Sequence, residues 1–480
     1  MAESLKEKTA KGLFWGAMNN GAMQVIGLAV GIVLGRLLSP SDYGMIAMIT
    51  VFSLIATALQ NSGFITALTN LKQPTNNDYN SVFWFNITIG FLLYVILFFS
   101  APWIAAYYHT PALTSLCRYA FLSILFASFC TAQSAYLFKN LMVKQRAKSG
   151  ILATLSSSIV GVCLAFAGMS YWALATQTIV YNIVNTFLFW HYSPWRPNFH
   201  IDLVPVRRMF RFSCKLLATT ITTHINNNVL NILLGHYFTA HDTGNYNQAY
   251  QWDFKAYSVI QGMVDSVAQP VLVDLREQPG RQLEALRKLV RFTAFISFPL
   301  MLGFGMVARE FIIITITEKW LASAELLQIL CVSGAVIPLC SLLSSLVVSK
   351  GKSGTYFGVT FALGVVQIVT MILIWHWGIQ KMVVAYVILN IVWLFVWQYL
   401  ANRLIHYQFF AFLKDVVPFA LTALVVMGIT YWTTLGISQL VLLLLVRIVI
   451  AASLYYLVMR LAGVAILREC MKFVKRKMCK

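Results

Sequence analysis

About fourteen stretches of mostly apolar residues, each near the ~20 needed to cross a bilayer as a helix, follow one another along this chain with short polar connections between them. They cover 13–35, 43–69, 81–107, 113–138, 149–169, 171–190, 212–237, 244–272, 289–315, 322–349, 354–376, 380–402, 413–434 and 438–462. Inside a bilayer every backbone polar group needs an internal partner, which admits only helices or a closed barrel. A barrel would show short alternating segments instead. Hydrophobic residues make up 59% of the chain and charged ones 11%, against about 25% charged in soluble domains. No soluble core hides that much apolar surface, so the chain is expected to be all-α and polytopic, with about 14 transmembrane helices. The short break at 169–171 and the polar seventh and eighth stretches depart most from the pattern.

The formal charge of +20 is distributed in a way that argues against a nucleic-acid partner. Lys6, Lys8 and Lys11 precede the first stretch, and Lys139, Lys144, Arg146 and Lys148 follow the fourth. Arg276, Arg281, Arg287, Lys288 and Arg291 follow the eighth, and Arg468, Lys472, Lys475, Arg476, Lys477 and Lys480 crowd the tail. The opposite set of connections holds only Arg36, Arg309, Lys319 and Lys381. This alternation is the positive-inside pattern and places both termini in the cytoplasm. The excess then serves topology and attraction to anionic membrane lipids. The N-terminal MAESLKEKTAKG is a short charged lead with no cleavage site after it, so no secretory signal is expected. Eight scattered cysteines form no CxxC pair or zinc-like spacing, and neither a metal nor a cofactor is expected. The loops leave no room for a soluble catalytic domain, and no GxxxxGK[ST] loop occurs. Both facts argue against an ATPase or another enzyme.

The chain also echoes itself. Gly35, Asp42 and Gly44 in GRLLSPSDYG return with the same spacing as Gly235, Asp242 and Gly244 in GHYFTAHDTG, and Lys148-Ser149-Gly150 returns as Lys352-Ser353-Gly354. Two echoes in one order at nearly one offset indicate a parallel repeat, the usual design of a carrier that rocks two halves around a central site. The expected organisation is a six-helix lobe over 1–207 that includes a Pro-containing cytoplasmic linker at 191–208. A second six-helix lobe covers 208–405, two appended helices 406–462, and a basic tail 463–480. Residues 274–291 read as a short amphipathic surface helix leading into the ninth stretch. In each echoed turn Gly and Pro should end one helix, while Asp or Ser caps the next. That makes a tight hairpin rather than a substrate contact.

Ionic side chains at membrane depth are costly and need a partner or a wet cavity. Lys255, Arg118 and Lys215 are therefore candidates for an anionic head group, and Asn19, Asn20, Gln24, Asn227, Asn231 and Gln251 for a polar cavity. Many such amides only join helices, but the density in stretches one, seven and eight suggests a hydrated cavity between lobes. Asp253 and Lys255 stand at i and i+2, so they point to different faces and do not neutralise each other. Asp253 and Asp265 are the candidates for ion coupling. Lys215 lies near the cytoplasmic end, where snorkelling competes with a cavity role. Arg447, in the appended pair, reads as a structural or lipid-facing contact.

The segment KTAKGLFWGAMNNGAMQVIGLAVGIVLGRLLSPSDYGMIAM, with Lys11, Trp15, Arg36, Leu37, Leu38, Ser39, Pro40, Asp42, Tyr43 and Gly44, resembles the start of the polysaccharide transporter family. This is the Wzx-type flippase group within the multidrug/oligosaccharidyl-lipid/polysaccharide exporter superfamily. PWIAAYYHTPAL, EKWLASAELLQIL and GNYNQAY are similar to family segments too. The resemblance implies two six-helix lobes in a V with two extra helices. It also implies movement of undecaprenyl-diphosphate-linked oligosaccharide repeat units across the inner membrane of a bacterium, for O-antigen, capsule or exopolysaccharide. A periplasmic polymerase would consume the product, and the appended pair would offer a groove for the polyprenyl tail. No functional charge carries over by motif. The competing readings are a multidrug/cation antiporter of the same superfamily, which would need buried carboxylates, and a flippase for the peptidoglycan precursor. A membrane-bound transferase would need a catalytic pair, and none is evident.

Overall fold

The computed structural model describes residues 5–61, 64–199, 202, 204–464 and 466–468; within these, the side chains of 5–14, 17, 66, 70 and 208–216 lie outside the description. Every regular element among the described residues is helical. By internal packing the chain divides into two compact units, Met1–Gly244 and Asn245–Lys480.

The first unit contains α1 (Leu5–Leu37), α2 (Pro40–Asn61), α3 (Phe64–Asn70), α4 (Asn76–Tyr107), α5 (Leu113–Ala120), α6 (Leu122–Ser128), α7 (Thr131–Lys139), α8 (Val143–Phe166), α9 (Ser170–Tyr192) and α10 (Val204–Tyr237). Helix α8 packs between α1 and α9, while α10 packs on α2 and α4. The break near 169 is real: Gly168 and Ser170 take φ of 78° and 47°, which α-helix does not allow. The stretch 113–138, expected as one span, is broken into α5, α6 and α7, with 43° between Leu113–Ser128 and Thr131–Lys139. Ser123, Ser128 and Cys130 each donate to the carbonyl three residues back, offering the backbone an alternative to the regular helical ladder. The linker after α9 is packed rather than loose. Trp195 buries its ring against Tyr79 and Phe83, and the Asn198 amide donates to Asn80 Oδ1 at 3.0 Å.

In the second unit, α11 (Ala240–Asp274) enters from the boundary and is followed by α12 (Pro279–Met306), α13 (Ala308–Ile316), α14 (Leu321–Ser349), α15 (Ser353–Ile374), α16 (Ile379–Ile405), α17 (Phe409–Thr433) and α18 (Leu440–Leu461). Helix α12 packs on α14 and α17, and α14 on α16. The amphipathic segment expected at 274–291 is no separate surface helix. Pro279 starts α12, which runs unbroken into the apolar stretch, so Gln282, Leu286 and Val290 continue the buried row of Thr293 and Ala294.

Ten of these helices are long and apolar enough to cross a membrane, and eleven if the bent α5–α7 segment is one span. Helices α9, α10 and α11 have the length, at 23, 34 and 35 residues, but lie outside that set because polar residues interrupt them.

Candidate functional site

The echoed turns are local capping devices. Ser39 precedes α2, and its hydroxyl accepts from the Asp42 amide at 3.3 Å while Asp42 Oδ2 accepts from the Ser39 amide at 2.8 Å. Thr239 and Asp242 repeat the arrangement at 3.2 and 3.3 Å at the start of α11. Both are capping boxes, with Asp in the place usually held by Glu or Gln. Gly35 and Gly235 sit inside their helices, which end at Leu37 and Tyr237, so Gly does not terminate them as expected. The glycines that matter are the other two. A Cβ on Gly44 would lie 1.8 Å from the Ala240 carbonyl oxygen, and one on Gly244 would lie 1.7 Å from that of Pro40. The two repeated turns therefore seat on each other reciprocally, backbone against backbone, within the first unit. At the same end His236 stacks on Tyr107, ring centroids 4.3 Å apart, with Nδ1 2.7 Å from the Tyr107 carbonyl. The second echo is less equivalent: Lys148 lies inside α8, whereas Lys352 precedes α15.

The candidate cations separate on inspection. Lys255 in α11 is half-buried, with Nζ 4.7 Å from the centroid of the Trp252 ring. Trp252 also meets Phe311 edge-on, ring centroids 5.0 Å apart. Lys255 has no carboxylate partner among the described residues. Arg118 is held by α4: its Nε donates to the Phe98 carbonyl at 3.4 Å, and its guanidinium lies 4.5 Å from the Phe98 ring. The Lys215 side chain lies outside the described residues.

The amides scatter in the same way. Asn20, Gln24, Asn227 and Gln251 are exposed. Asn19 Oδ1 is buried close to Gly150 of α8, and Asn231 is buried with Nδ2 3.4 Å from Asn228 Oδ1. Hydropathy did not reveal a recess of about 270 Å³ in the first unit. Its walls include Thr50, Ser53 and Thr57 of α2 with Thr178 and Asn182 of α9. Hydroxyls three to four residues apart on α2 were the available signal.

The two candidate acids differ. Asp265 accepts from Ser341 Oγ at 2.9 Å, and Gln261 Nε2 donates to the same hydroxyl at 3.2 Å. This is a satisfied link between α11 and α14. Asp253 is fully buried against α14, where its Oδ1 lies 2.4 Å from the Cβ position of Gly334, and neither carboxylate oxygen has a hydrogen-bond partner among the described residues. Only glycine at 334 leaves room for it. Asp253 and Lys255 therefore do face apart.

Two other charge clusters have partners that sequence spacing does not reveal. Arg447 of α18 meets Glu310 of α13 at 2.8 Å, with side chains 6% and 7% exposed. Its Nε also donates to Thr434 Oγ1 at 3.1 Å. Arg447 is thus structural, not lipid-facing. Nearer the other end of α12, Arg287 Nε and Nη2 bind Asp415 of α17 at 2.7 and 3.1 Å, and the Tyr407 hydroxyl donates to it at 2.8 Å. Burial, then the neighbouring Asp415 carboxylate, push the Tyr407 phenol above its ordinary range. The two clusters bolt the appended helices to α13 and α12 within the second unit.

Long apolar helices in two packed units, with polar groups set at membrane depth, define a multi-pass membrane protein of the transporter type. The solved structure of "Lipid II flippase MurJ, inward closed conformation" matches over 93% of this chain and 99% of its own, with a TM-score of 0.76 at 14% identity. An inward-facing multidrug resistance MATE family transporter of the MOP superfamily matches over 79% and 94%, with a TM-score of 0.61 at 15% identity. Residues 33–325 match the polysaccharide biosynthesis protein family, and the chain belongs to it. Among its relatives is the lipopolysaccharide biosynthesis protein WzxC of Escherichia coli, 25% identical over 73% of this chain and 71% of that protein. The teichuronic acid biosynthesis protein TuaB of Bacillus subtilis is 24% identical over 74% of each. The succinoglycan biosynthesis transport protein ExoT of Rhizobium meliloti is 23% identical over 68% of this chain and 66% of its own length.

Proposed function

We propose that this protein is a flippase moving undecaprenyl-diphosphate-linked oligosaccharide repeat units from the cytoplasmic to the periplasmic leaflet of a bacterial inner membrane. The observation that carries the reading is membership of a polysaccharide biosynthesis family on a chain folded like transporters. Transport proceeds by alternating access without covalent chemistry, the lobes 1–207 and 208–405 rocking about a central cavity while 406–462 rides with the second. The basic residues that alternate along the sequence keep both termini cytoplasmic. Lys255 offers the diphosphate an ammonium with no competing carboxylate; Arg118 and Lys215 are its sequence-level companions. Asn19, Asn20, Gln24, Asn227, Asn231 and Gln251 would meet sugar hydroxyls. Asp253 is the stronger ion-coupling candidate, because a buried carboxylate without a donor is stable only when protonated or when a cation arrives. Asp265 is the weaker one, since Ser341 already occupies it. Reciprocal seating at Gly44 and Gly244 would serve as the latch of one end, parting when the carrier opens there. A periplasmic polymerase would then draw the product away.

Two readings compete. Likeness in fold to a lipid II flippase favours the peptidoglycan precursor as cargo, and the orphaned Asp253 favours a cation antiporter. A leaflet-resolved assay of lipid-linked sugar in cells lacking the protein separates them. Repeat-unit lipid held on the cytoplasmic face, with surface polysaccharide lost, is the expected result. Accumulation of peptidoglycan precursor instead, or no change in either lipid, would contradict it.

A further inference from the structure

The appended helices close a groove of about 670 Å³ over α12, walled by Phe295, Pro299 and Leu300 of α12, Met427 of α17, and Ile448 and Ala452 of α18. The row that lines it continues past its end. Arg291 stands one helical turn before Phe295 and Arg287 one turn before that, so residues spaced by four share a face that turns from apolar to cationic. Both arginines meet Asp415, Arg287 through Nε and Nη2 and Arg291 through Nε at 3.6 Å. Two guanidinium groups on one carboxylate leave a net positive charge. Both Nη atoms of Arg291 have no acceptor among the described residues. These side chains are 37% and 43% exposed, unlike the enclosed Arg447. The same end of the unit carries Arg276 and Lys350, each donating to the other's carbonyl.

We infer that Arg287, Arg291 and the groove beyond them form a binding site for one anionic phospholipid. Its phosphodiester rests on the guanidinium groups and one acyl chain fills the groove. The single negative charge of a phosphodiester matches the net charge left by the Arg–Arg–Asp cluster, and the guanidinium fork suits phosphate oxygens. The cluster also selects against zwitterionic lipids. Both Asp415 oxygens are already taken by Arg287 and Tyr407, so an ammonium head group meets no free carboxylate. The bound lipid would brace the junction of α12 with α17.

The test is native mass spectrometry of the delipidated full-length protein with phosphatidylglycerol, phosphatidylcholine of the same chains, and undecaprenyl phosphate. One phosphatidylglycerol should be retained in preference to phosphatidylcholine. Arg291→Gln, which keeps the Arg287–Asp415 pair, should weaken retention about tenfold, the effect of about 1.4 kcal/mol. Ala452→Trp, which fills the groove, should abolish it. Equal retention of the two phospholipids, unchanged retention in both variants, or displacement by equimolar undecaprenyl phosphate would overturn the assignment.

Discussion

Glu310 and Asp253 are both buried carboxylates in the second unit, and they solve the problem of burial in opposite ways. Glu310 meets Arg447 at 2.8 Å, and the arginine spreads its remaining donors over Thr434 and the Met306 carbonyl. Asp253 lies against Gly334, with no donor to either oxygen among the described residues. Charge at membrane depth persists as structure when it is paired. An unpaired carboxylate at the same depth contributes little to stability, which is why Asp253 is proposed for ion coupling. The same contrast divides the cations: Arg447 and Arg287 hold helices together, whereas Lys255 has only the face of Trp252.

The largest effect should come from breaking the paired side. Glu310→Ala leaves Arg447 buried without its partner and should cost about 3–5 kcal/mol, read as a fall in the detergent melting temperature. The double change Glu310→Met with Arg447→Met should recover most of that loss. If the single variant melts like the parent, the pair is not structural. Asp415→Asn should cost less, about 1–3 kcal/mol, because Arg287 and Arg291 are partly exposed and keep water as an alternative. Tyr407→Phe removes one hydrogen bond from the same carboxylate and should cost about 1 kcal/mol; equal losses in the two variants would argue against the ranking. Lys255→Gln should change stability least, by about 0.5–1 kcal/mol from the lost contact with Trp252. Export per molecule should nevertheless fall severalfold in a surface-polysaccharide assay, and unchanged export would remove Lys255 from the substrate path.

Much of this was legible in the sequence, and the limits have physical reasons. The membrane class and the all-helical fold follow from long apolar stretches. The opposite facing of Asp253 and Lys255 follows from helical periodicity alone. The Ser39–Asp42 and Thr239–Asp242 caps were legible because a cap is a local device, readable over four residues. Gly44 and Gly244 were visible as an echo, but their reason, close approach of two backbones about two hundred residues apart in sequence, is not a local property. Asp415 finds Arg287 across 128 residues, and Glu310 finds Arg447 across 137; no spacing rule connects such partners. The break of 113–138 is invisible to hydropathy, which counts Ser as a mild interruption and Cys as apolar and ignores their bonds to the backbone. The contact of Arg118 with Phe98, twenty residues earlier, is likewise invisible to spacing.

The most direct test compares Asp253→Asn with Glu310→Gln in one preparation, measuring the melting temperature and the flipping of a lipid-linked oligosaccharide in proteoliposomes under an imposed proton gradient. Asp253→Asn should melt within a few degrees of the parent, since it loses no hydrogen bond, while its gradient-driven flipping falls at least tenfold. Glu310→Gln should melt markedly lower and flip normally per folded molecule. An Asp253→Asn protein that flips at the parental rate with the same response to the gradient would contradict the division between paired, structural charges and the unpaired, working one.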